Sequence, residues 1–284
     1  MENLKTNTSW DTLGQPRAGD APLGVFDSGV GGISVLRWIR CLLPRENLIY
    51  VADKGYAPYG NRSSDYVRER AVYLTRFLVE KKAKAIVVAC NTATVNAITT
   101  LRSMFEVPFI GIEPGVRPAL YATRSGVIGV LATTETLKSP SFKNLINRFC
   151  KDVRVEVQEC PGLMEQVESM AFTTPETREL LGHYLAPLLQ KGADTIVLGC
   201  THYPFLLPLV QKIAGPEIKV IETGEAVSRQ VAHILTQRDL LTSRTTPGST
   251  AFWTSGDCGV ETVISHLWGK SVTVSPLGPC QIPG

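Results

Sequence analysis

Two segments of this sequence, whose cysteines stand 110 positions apart, follow the same pattern. Residues 85–94 read AIVVACNTAT and residues 195–204 read TIVLGCTHYP. In each segment, a run of apolar and mostly β-branched residues leads to a small residue, a cysteine and then polar side chains. Short apolar runs of this composition predict buried β-strands. The pattern therefore predicts that Cys90 and Cys200 each stand at the carboxyl end of a buried strand.

The repetition extends over most of the chain. FDS at 26–28 matches LAT at 131–133, VVAC at 87–90 matches VLGC at 197–200, and IE at 112–113 matches IE at 221–222. Predicted strands alternate with predicted helices, an order that implies parallel pairing, and the unit is too long for a solenoid repeat. We therefore predict an α/β fold of two similar domains that face each other across a cleft lined by both cysteines.

Composition argues against several other classes of protein. The 284 residues are 44% hydrophobic, which suits one large domain or two of medium size. The net charge is +3 with scattered Lys and Arg, so nothing predicts nucleic-acid binding. Seven cysteines without C-x-x-C spacing argue against a metal site, and their odd number argues against a secreted disulfide framework. Without an apolar signal segment or membrane-spanning stretch, we predict a cytoplasmic protein with no membrane partner.

The loops that follow the first two predicted strands supply further candidates. Residues 23–26 form a predicted strand, followed by the glycine-rich turn DSGVGG and an amphipathic helix. The turn lacks both G-x-G-x-x-G and G-K-[ST], so a nucleotide-binding interpretation has weak support. Asp27 is more informative, because a carboxylate at this point lies in the crevice where open α/β sheets bind ligands. By the same reasoning, Tyr59 and the N–H of Gly60 are candidate binding groups after the second strand.

Two thiols in one cleft fit one kind of chemistry especially well. A lone buried cysteine is as often structural as reactive, but the repeat brings two thiols toward one ligand. One thiol can remove a proton from one face of a carbon while the other returns a proton to the opposite face, which inverts a stereocentre. Thiols suit this exchange because their ordinary pKa of about 8.5 is close to working pH.

The α-proton of an amino acid is weakly acidic, so such a site must stabilise developing negative charge with fixed donors. The candidate donors are Asn91, Thr92, Thr133 and Thr201. Asp27 and His202 are candidates to tune the thiols or to hold a substrate ammonium. A pyridoxal-phosphate mechanism would need a Schiff-base lysine, and no lysine stands at a predicted strand end, which argues against that cofactor.

The sequence resembles the glutamate racemases of the cofactor-independent aspartate/glutamate racemase superfamily. Four motifs carry the resemblance in order: FDSGVGG at 26–32, APYG at 57–60, ACNTAT at 89–94 and GCTHYP at 199–204. The similarity is good over residues 23–227 and loose beyond them. It implies two pseudo-symmetric flavodoxin-like domains with parallel sheets and the active site between them. The implied division is a first domain of residues 23–114 plus 224–284, a second domain of residues 115–223, and a flexible extension over residues 1–22.

The resemblance also implies roles for individual residues. Cys90 would take the proton from D-glutamate and Cys200 from L-glutamate, and the D-glutamate would supply peptidoglycan synthesis. Glu168 resembles a carboxylate that supports His202. The implied substrate contacts are Asp27, Ser28, Tyr59, Gly60, Asn91, Thr92, Thr201 and His202, with Thr133 and Thr136 in a looser T-x-x-T match. Some relatives with a long amino-terminal extension are activated by a nucleotide-sugar cell-wall precursor, so residues 1–22 are expected to be either an effector segment or a disordered tail. The expected assembly is a monomer or a homodimer.

Three other interpretations stay open on the residues alone. A racemase of the same superfamily can act on aspartate or a hydantoin, although the FDSGVGG and APYG loops favour glutamate. A thiol hydrolase or transferase would use one cysteine as nucleophile together with His202. A two-domain binding protein would hold a ligand without turnover, which the duplicated thiols argue against.

Overall fold

The computed structural model describes residues 18–150, 152–257 and 259–278. Within them, the strands are β1 (Leu23–Asp27), β2 (Leu48–Ala52), β3 (Ala85–Val88), β4 (Phe109–Gly111), β5 (Val127–Ala132), β6 (Arg154–Glu159), β7 (Thr195–Leu198), β8 (Lys219–Ile221), β9 (Thr250–Thr254) and β10 (Val274–Pro276). The helices are α1 (Ile33–Leu42), α2 (Ser64–Glu80), α3 (Asn91–Met104), α4 (Val116–Ala122), α5 (Thr134–Lys138), α6 (Pro140–Phe149), α7 (Leu163–Glu168), α8 (Pro175–Gln190), α9 (Leu207–Ala214), α10 (Gly224–Gln237) and α11 (Val260–Trp268).

The strands form two parallel sheets with the same internal order. Sheet A runs β10-β9-β2-β1-β3-β4 and sheet B runs β6-β5-β7-β8. The sequence repeat matches β1 with β5, β3 with β7 and β4 with β8, and these strands occupy equivalent places in the two sheets, as do β2 and β6. The two strands that end at cysteines, β3 and β7, each lie directly beside the first strand of their own sheet. The duplication predicted from the sequence is therefore present in the topology.

The central strands are apolar because helices cover both faces of each sheet. All residues of β1, β2, β3 and β7 are buried, as expected for parallel strands between two helical layers. Edge strand β6 instead has no fully buried residue, and Arg154, Val157 and Glu159 are exposed to solvent. Each fully buried large apolar side chain in these strands, such as Phe26 or Leu198, contributes about 1.5–3 kcal/mol to folding.

The carboxyl-terminal strands complete sheet A. β9 pairs in parallel with β2, from Leu48 opposite Thr250 to Ala52 opposite Thr254, and β10 pairs with β9. Between β4 and α10 the chain builds sheet B, which is thus an insertion into the sequence that forms sheet A.

Most of the amino-terminal extension lies outside the described residues. Its last part is packed on sheet A, where the Lys84 ammonium donates to the Gly19 carbonyl and Asn47 Nδ2 donates to the Asp20 carbonyl at 3.2 Å. Residues 18–22 therefore lie against the body of the protein.

Candidate active site

Both cysteines lie at the carboxyl ends of their strands and line one cavity. Cys90 follows β3, Cys200 follows β7, and both side chains are buried. The side of sheet A contributes Ser28, Tyr59, Gly60, Cys90, Asn91 and Thr92, and the side of sheet B contributes Thr133, Met164, Gly199, Cys200, Thr201 and His202. The cavity holds about 20 Å³, on the order of one water molecule. A substrate the size of an amino acid can enter only if the walls move apart.

Cys90 caps the helix that follows it. Its sulfur accepts a hydrogen bond from the Ala93 N–H at 3.4 Å, which makes Cys90 the N-cap of α3 and places the start of the helix at Asn91. Ser28 Oγ lies 3.6 Å from the same sulfur. Burial and the nearby charge of Asp27 raise the pKa of the Cys90 thiol well above its ordinary value, against the opposing effect of the Ala93 N–H. Cys90 is thus held as a protonated thiol.

Cys200 has a different neighbour. Its sulfur lies 3.7 Å from His202 Nδ1, and His202 Nε2 lies 2.8 Å from Glu168 Oε1. Burial disfavours the imidazolium, but the hydrogen bonds to Cys200 and Glu168 outweigh it and raise the pKa of His202 well above its ordinary value. Burial also opposes the Glu168 carboxylate, yet His202 and Lys54 lower the pKa of Glu168 to about 2. A charged imidazolium therefore stands beside the second thiol.

Asp27 lies behind the cavity wall and fixes the loop around it. It is fully buried and accepts hydrogen bonds from the backbone N–H groups of Ser28 at 2.7 Å and Gly32 at 2.5 Å. The Thr201 hydroxyl, on the opposite side of the cleft, donates to Asp27 at 3.1 Å. Burial raises the pKa of Asp27, and the charge of His202 opposes this rise. The carboxylate can take a proton or organise the loop, but substrate can reach it only when the cleft opens.

The glycine-rich loop makes room for the pair His202 and Glu168. A Cβ atom at Gly29 would collide with Glu168 Oε1, and one at Gly31 would collide with the His202 ring. The loop 28–32 is therefore the surface of one domain on which the histidine and carboxylate of the other rest. The close approach of Glu168 and His202 therefore explains why residues 29 and 31 are glycines, without a role in phosphate binding.

Three threonines connect the two sides of the cleft. Thr92 Oγ1 lies 3.1 Å from Thr133 Oγ1 and 3.5 Å from Thr136 Oγ1, and Thr133 donates to Thr136 at 3.0 Å. Thr133 lines the cavity, whereas Thr136 is completely buried behind it. The structure thus brings together both members of the predicted T-x-x-T match, with only the first facing the cavity.

The loop with Tyr59 and Gly60 depends on a buried ion pair that sequence reasoning missed. The Tyr59 hydroxyl donates to Asp53, and Arg70 binds both oxygens of Asp53 at 2.9 and 2.7 Å. The Arg70 guanidinium also lies 3.4 Å from the centre of the Tyr56 ring. Asp53 and Arg70 are 17 positions apart on different elements, so no spacing rule singles them out.

Other residues at the site also escaped the sequence analysis. Met164 and Gly199 line the cavity, and Lys54 forms an ion pair with Glu168 at 2.7 Å. Ser34 donates to the Thr201 carbonyl at 2.9 Å across the cleft. Gly199 precedes Cys200 in the motif GCTHYP, so the sequence could have indicated it. The roles of Met164, Lys54 and Ser34 depend on how the chain folds around the cleft.

Among residues 18–150, 152–257 and 259–278, no three His, Cys, Asp or Glu side chains converge in a way that could hold a metal ion. Within the same ranges, no helix combines the length and the apolar character needed to cross a lipid bilayer.

Comparison with known proteins identifies the class. A family model described as Asp/Glu/Hydantoin racemase matches residues 34–231. The chain belongs to this family and is an isomerase of the racemase type, as the sequence motifs predict.

Within the family, the similar curated proteins include glutamate racemases. The glutamate racemase of Methylococcus capsulatus is 52% identical over 257 residues, which cover 90% of this chain and 95% of that protein. The glutamate racemase of Pseudomonas aeruginosa is 50% identical over 261 residues and covers 90% of this chain and 97% of that protein. The predicted resemblance is thereby confirmed.

Solved structures support the same placement. Glutamate racemase isoform RacE1 of Bacillus anthracis has a TM-score of 0.84 at 32% identity, covering 91% of this chain and 97% of that one. Escherichia coli glutamate racemase, solved with L-glutamate and the activator UDP-MurNAc-Ala, has a TM-score of 0.80 at 30% identity, covering 90% and 98%. These matches confirm the predicted fold class of two flavodoxin-like domains.

Proposed function

We propose that the protein interconverts L-glutamate and D-glutamate by proton transfer between Cα and the thiols of Cys90 and Cys200, without a cofactor. The observation that carries the proposal is that the two cysteines, supplied by equivalent strand ends of two sheets, line one cavity. The resemblance of the motifs and the 50–52% identity to named glutamate racemases support glutamate as the substrate over aspartate or a hydantoin.

The two thiols have different neighbours. Cys90 is the proton-bearing member, since burial and Asp27 oppose its ionisation. The Cys200 sulfur lies 3.7 Å from Nδ1 of His202, and a thiolate at this position would be the group that accepts a proton. With L-glutamate, Cys200 takes the α-proton and Cys90 delivers its own proton to the other face. With D-glutamate, Cys90 takes the α-proton and Cys200 delivers its proton to the other face. Each turnover therefore leaves the two thiols ready for the reverse reaction.

Polar groups around the cavity are suited to hold the substrate and its carbanion. The side-chain oxygen of Asn91 is buried and has no hydrogen-bond partner among the described residues, so it is available to accept from the substrate ammonium. Hydroxyl groups of Thr92, Thr133 and Thr201 and the backbone N–H groups that open α3 can donate to the two carboxylates. Fixed donors in a site closed to water stabilise the charge that develops at Cα.

The cleft opens to admit substrate and closes for the reaction. Its 20 Å³ in the closed form is far below what a substrate with ten heavy atoms occupies. We place the boundary between the moving bodies as the sequence implies: residues 23–114 with 224–284, and residues 115–223. The membership of β1–β4, β9 and β10 in sheet A, and of β5–β8 in sheet B, supports this division.

The product has a use in the cell wall. D-glutamate would supply peptidoglycan synthesis, as the resemblance implies. A nucleotide-sugar precursor of the same pathway is a candidate effector, since the E. coli relative was solved with UDP-MurNAc-Ala as activator.

Incubation of either glutamate enantiomer with the protein in deuterated water tests the proposal. Racemisation by a two-base mechanism incorporates one solvent deuteron at Cα per inversion and drives the optical rotation to zero from both sides. Absence of both deuterium at Cα and decay of rotation would remove glutamate as substrate. A thiol hydrolase, the interpretation from another class, would instead give an acyl adduct on one cysteine and tolerate loss of the other.

A further inference from the structure

A chain of contacts runs from Cys200 through His202 and Glu168 to Lys54, which belongs to the opposite domain. Lys54 Nζ donates to Glu168 Oε2 at 2.7 Å. Lys54 opens the short 3₁₀ helix Lys54–Tyr56, soon after β2 of sheet A, whereas Glu168 is the last residue of α7, which packs on α8 beside sheet B. The ion pair thus spans the mouth of the cleft, over 114 positions of sequence.

The carboxylate of Glu168 is held mainly from across the cleft. Its Oε1 accepts from the backbone N–H of Val30 at 3.1 Å and faces His202 Nε2 at 2.8 Å, and its Oε2 receives Lys54. Val30 and Lys54 both belong to the sheet A side. When the cleft opens, Glu168 loses these two partners and keeps only His202.

We propose that Lys54 is a positioning residue for Cys200: it fixes the Glu168 carboxylate, which in turn holds the His202 ring against the Cys200 sulfur in the closed cleft. The inference rests on the proposed two-thiol reaction and deepens it, because it makes the readiness of one thiol depend on closure. Lys54 does not line the thiol cavity, so it acts only through the other residues.

The charges around Glu168 support an electrostatic role. Lys54 and His202 are the cations that lower its pKa. Glu165, one turn earlier on α7, lines the same surface groove as Lys54 and Glu168. Tyr50 and Asp27 lie on the buried side of Glu168. Burial raises the pKa of each, and neither group can supply positive charge. Lys54 is therefore the cation that balances Glu168 from the solvent side.

An ion pair on the surface of a protein ordinarily contributes only about 0–1 kcal/mol to the free energy of unfolding. This pair differs because only the lysine is partly exposed, at 36%, while the Glu168 side chain is 7% exposed. A displaced Glu168 would leave the buried His202 without the acceptor that sets its orientation. We therefore expect loss of Lys54 to affect catalysis at Cys200 more than overall stability.

The test compares Lys54→Met, which removes the charge at similar length, with Lys54→Arg, which keeps it. Lys191→Met is the matched control, because it removes an exposed ion pair of 2.6 Å with Glu156 on edge strand β6. For each variant, kcat/KM and the isotope effect of deuterium at Cα are measured with both enantiomers, across pH.

We expect kcat/KM of Lys54→Met to fall about tenfold, as for a lost charge-assisted hydrogen bond. The substrate isotope effect rises with L-glutamate, whose proton goes to Cys200, and falls with D-glutamate, whose proton goes to Cys90. The acid limb of the pH profile moves to higher pH, because Glu168 takes up a proton more easily without the lysine. Lys54→Arg restores most of the rate, and Lys191→Met behaves as wild type.

Two outcomes would overturn the inference: an unchanged kcat/KM in Lys54→Met, or isotope effects that move in the same direction for both enantiomers, as a general loosening of the cleft would produce. Failure of the wild-type protein to exchange Cα hydrogen would remove the proposed function itself. Measuring the wild type first keeps the two failures distinct.

Discussion

Gly31 is the position where a single added methyl group tests how the two domains meet. In the closed cleft, a Cβ atom on Gly31 would lie 2.7 Å from both the Cε1 atom of His202 and the Oγ1 atom of Thr201. Both neighbours are buried, and Thr201 is tied to Asp27 by a hydrogen bond of 3.1 Å, so neither can withdraw freely. Overpacking of this kind costs about 1–3 kcal/mol.

The cost falls on closure and not on the folding of either domain, because the clash joins a loop of one sheet to a loop of the other. We therefore expect Gly31→Ala to lower kcat/KM for glutamate about 5- to 150-fold, the factor that corresponds to 1–3 kcal/mol. Thermal unfolding should change little. The assay is polarimetric racemisation of both enantiomers, combined with a melting curve.

Gly182→Ala is the matched control. Gly182 lies within α8, and a Cβ atom there would meet nothing within 4 Å. This variant should keep wild-type activity and gain about 0.5–1 kcal/mol of stability from the better helix former. If Gly31→Ala racemises glutamate as fast as Gly182→Ala, then the domains do not close onto the glycine loop during the reaction, and the reasoning is wrong.

Three further predictions follow from the same geometry. Cys90→Ser and Cys200→Ser should each lower racemisation at least 100-fold, because a hydroxyl is a far weaker acid than a thiol; near-normal turnover by either variant would contradict the two-thiol scheme. Arg70→Met should lower the free energy of unfolding by about 3–5 kcal/mol, since it leaves the buried Asp53 carboxylate without its cation; adding Asp53→Asn should recover part of the loss in denaturant titrations. The pKa of Glu168 is about 2 in the folded protein and about 4.3 when unfolded. Its contribution, on the order of 3 kcal/mol, is present above about pH 5 and lost as the pH falls toward 2. Glu168→Gln should flatten this part of the stability profile, and an unchanged slope would argue against the assigned charge.

The position of the two thiols could be predicted because it follows from a local rule applied twice. An apolar run that stops at a cysteine places the thiol at a strand end, and parallel sheets collect their strand ends at one edge. The repeat then brings two such edges together. In the structure, Cys90 follows β3, Cys200 follows β7, and both line one cavity.

Contacts between the domains were beyond the reach of the same reasoning. The partners of Glu168 are Val30, Lys54 and His202, and two of them come from loops of the other domain. No periodicity in the sequence connects residues that meet only through the relative placement of two sheets. The start of α3 also depends on local chemistry, because the Cys90 thiol occupies the N-cap position that a hydroxyl, amide or carboxylate usually fills.

The pairing of β9 with β2 has a consequence for the order in which the protein is made. β2, with sequence LIYVA, is wholly buried in the complete fold, but its outer edge stays open until residues 250–254 have been synthesised. All of sheet B is translated in the interval. Because an open apolar strand edge is a template for pairing with another chain, the nascent chain passes through a long stage in which it is prone to associate with its own copies. By pairing with β2, the carboxyl-terminal strand β9 covers an edge that would otherwise be open to such association.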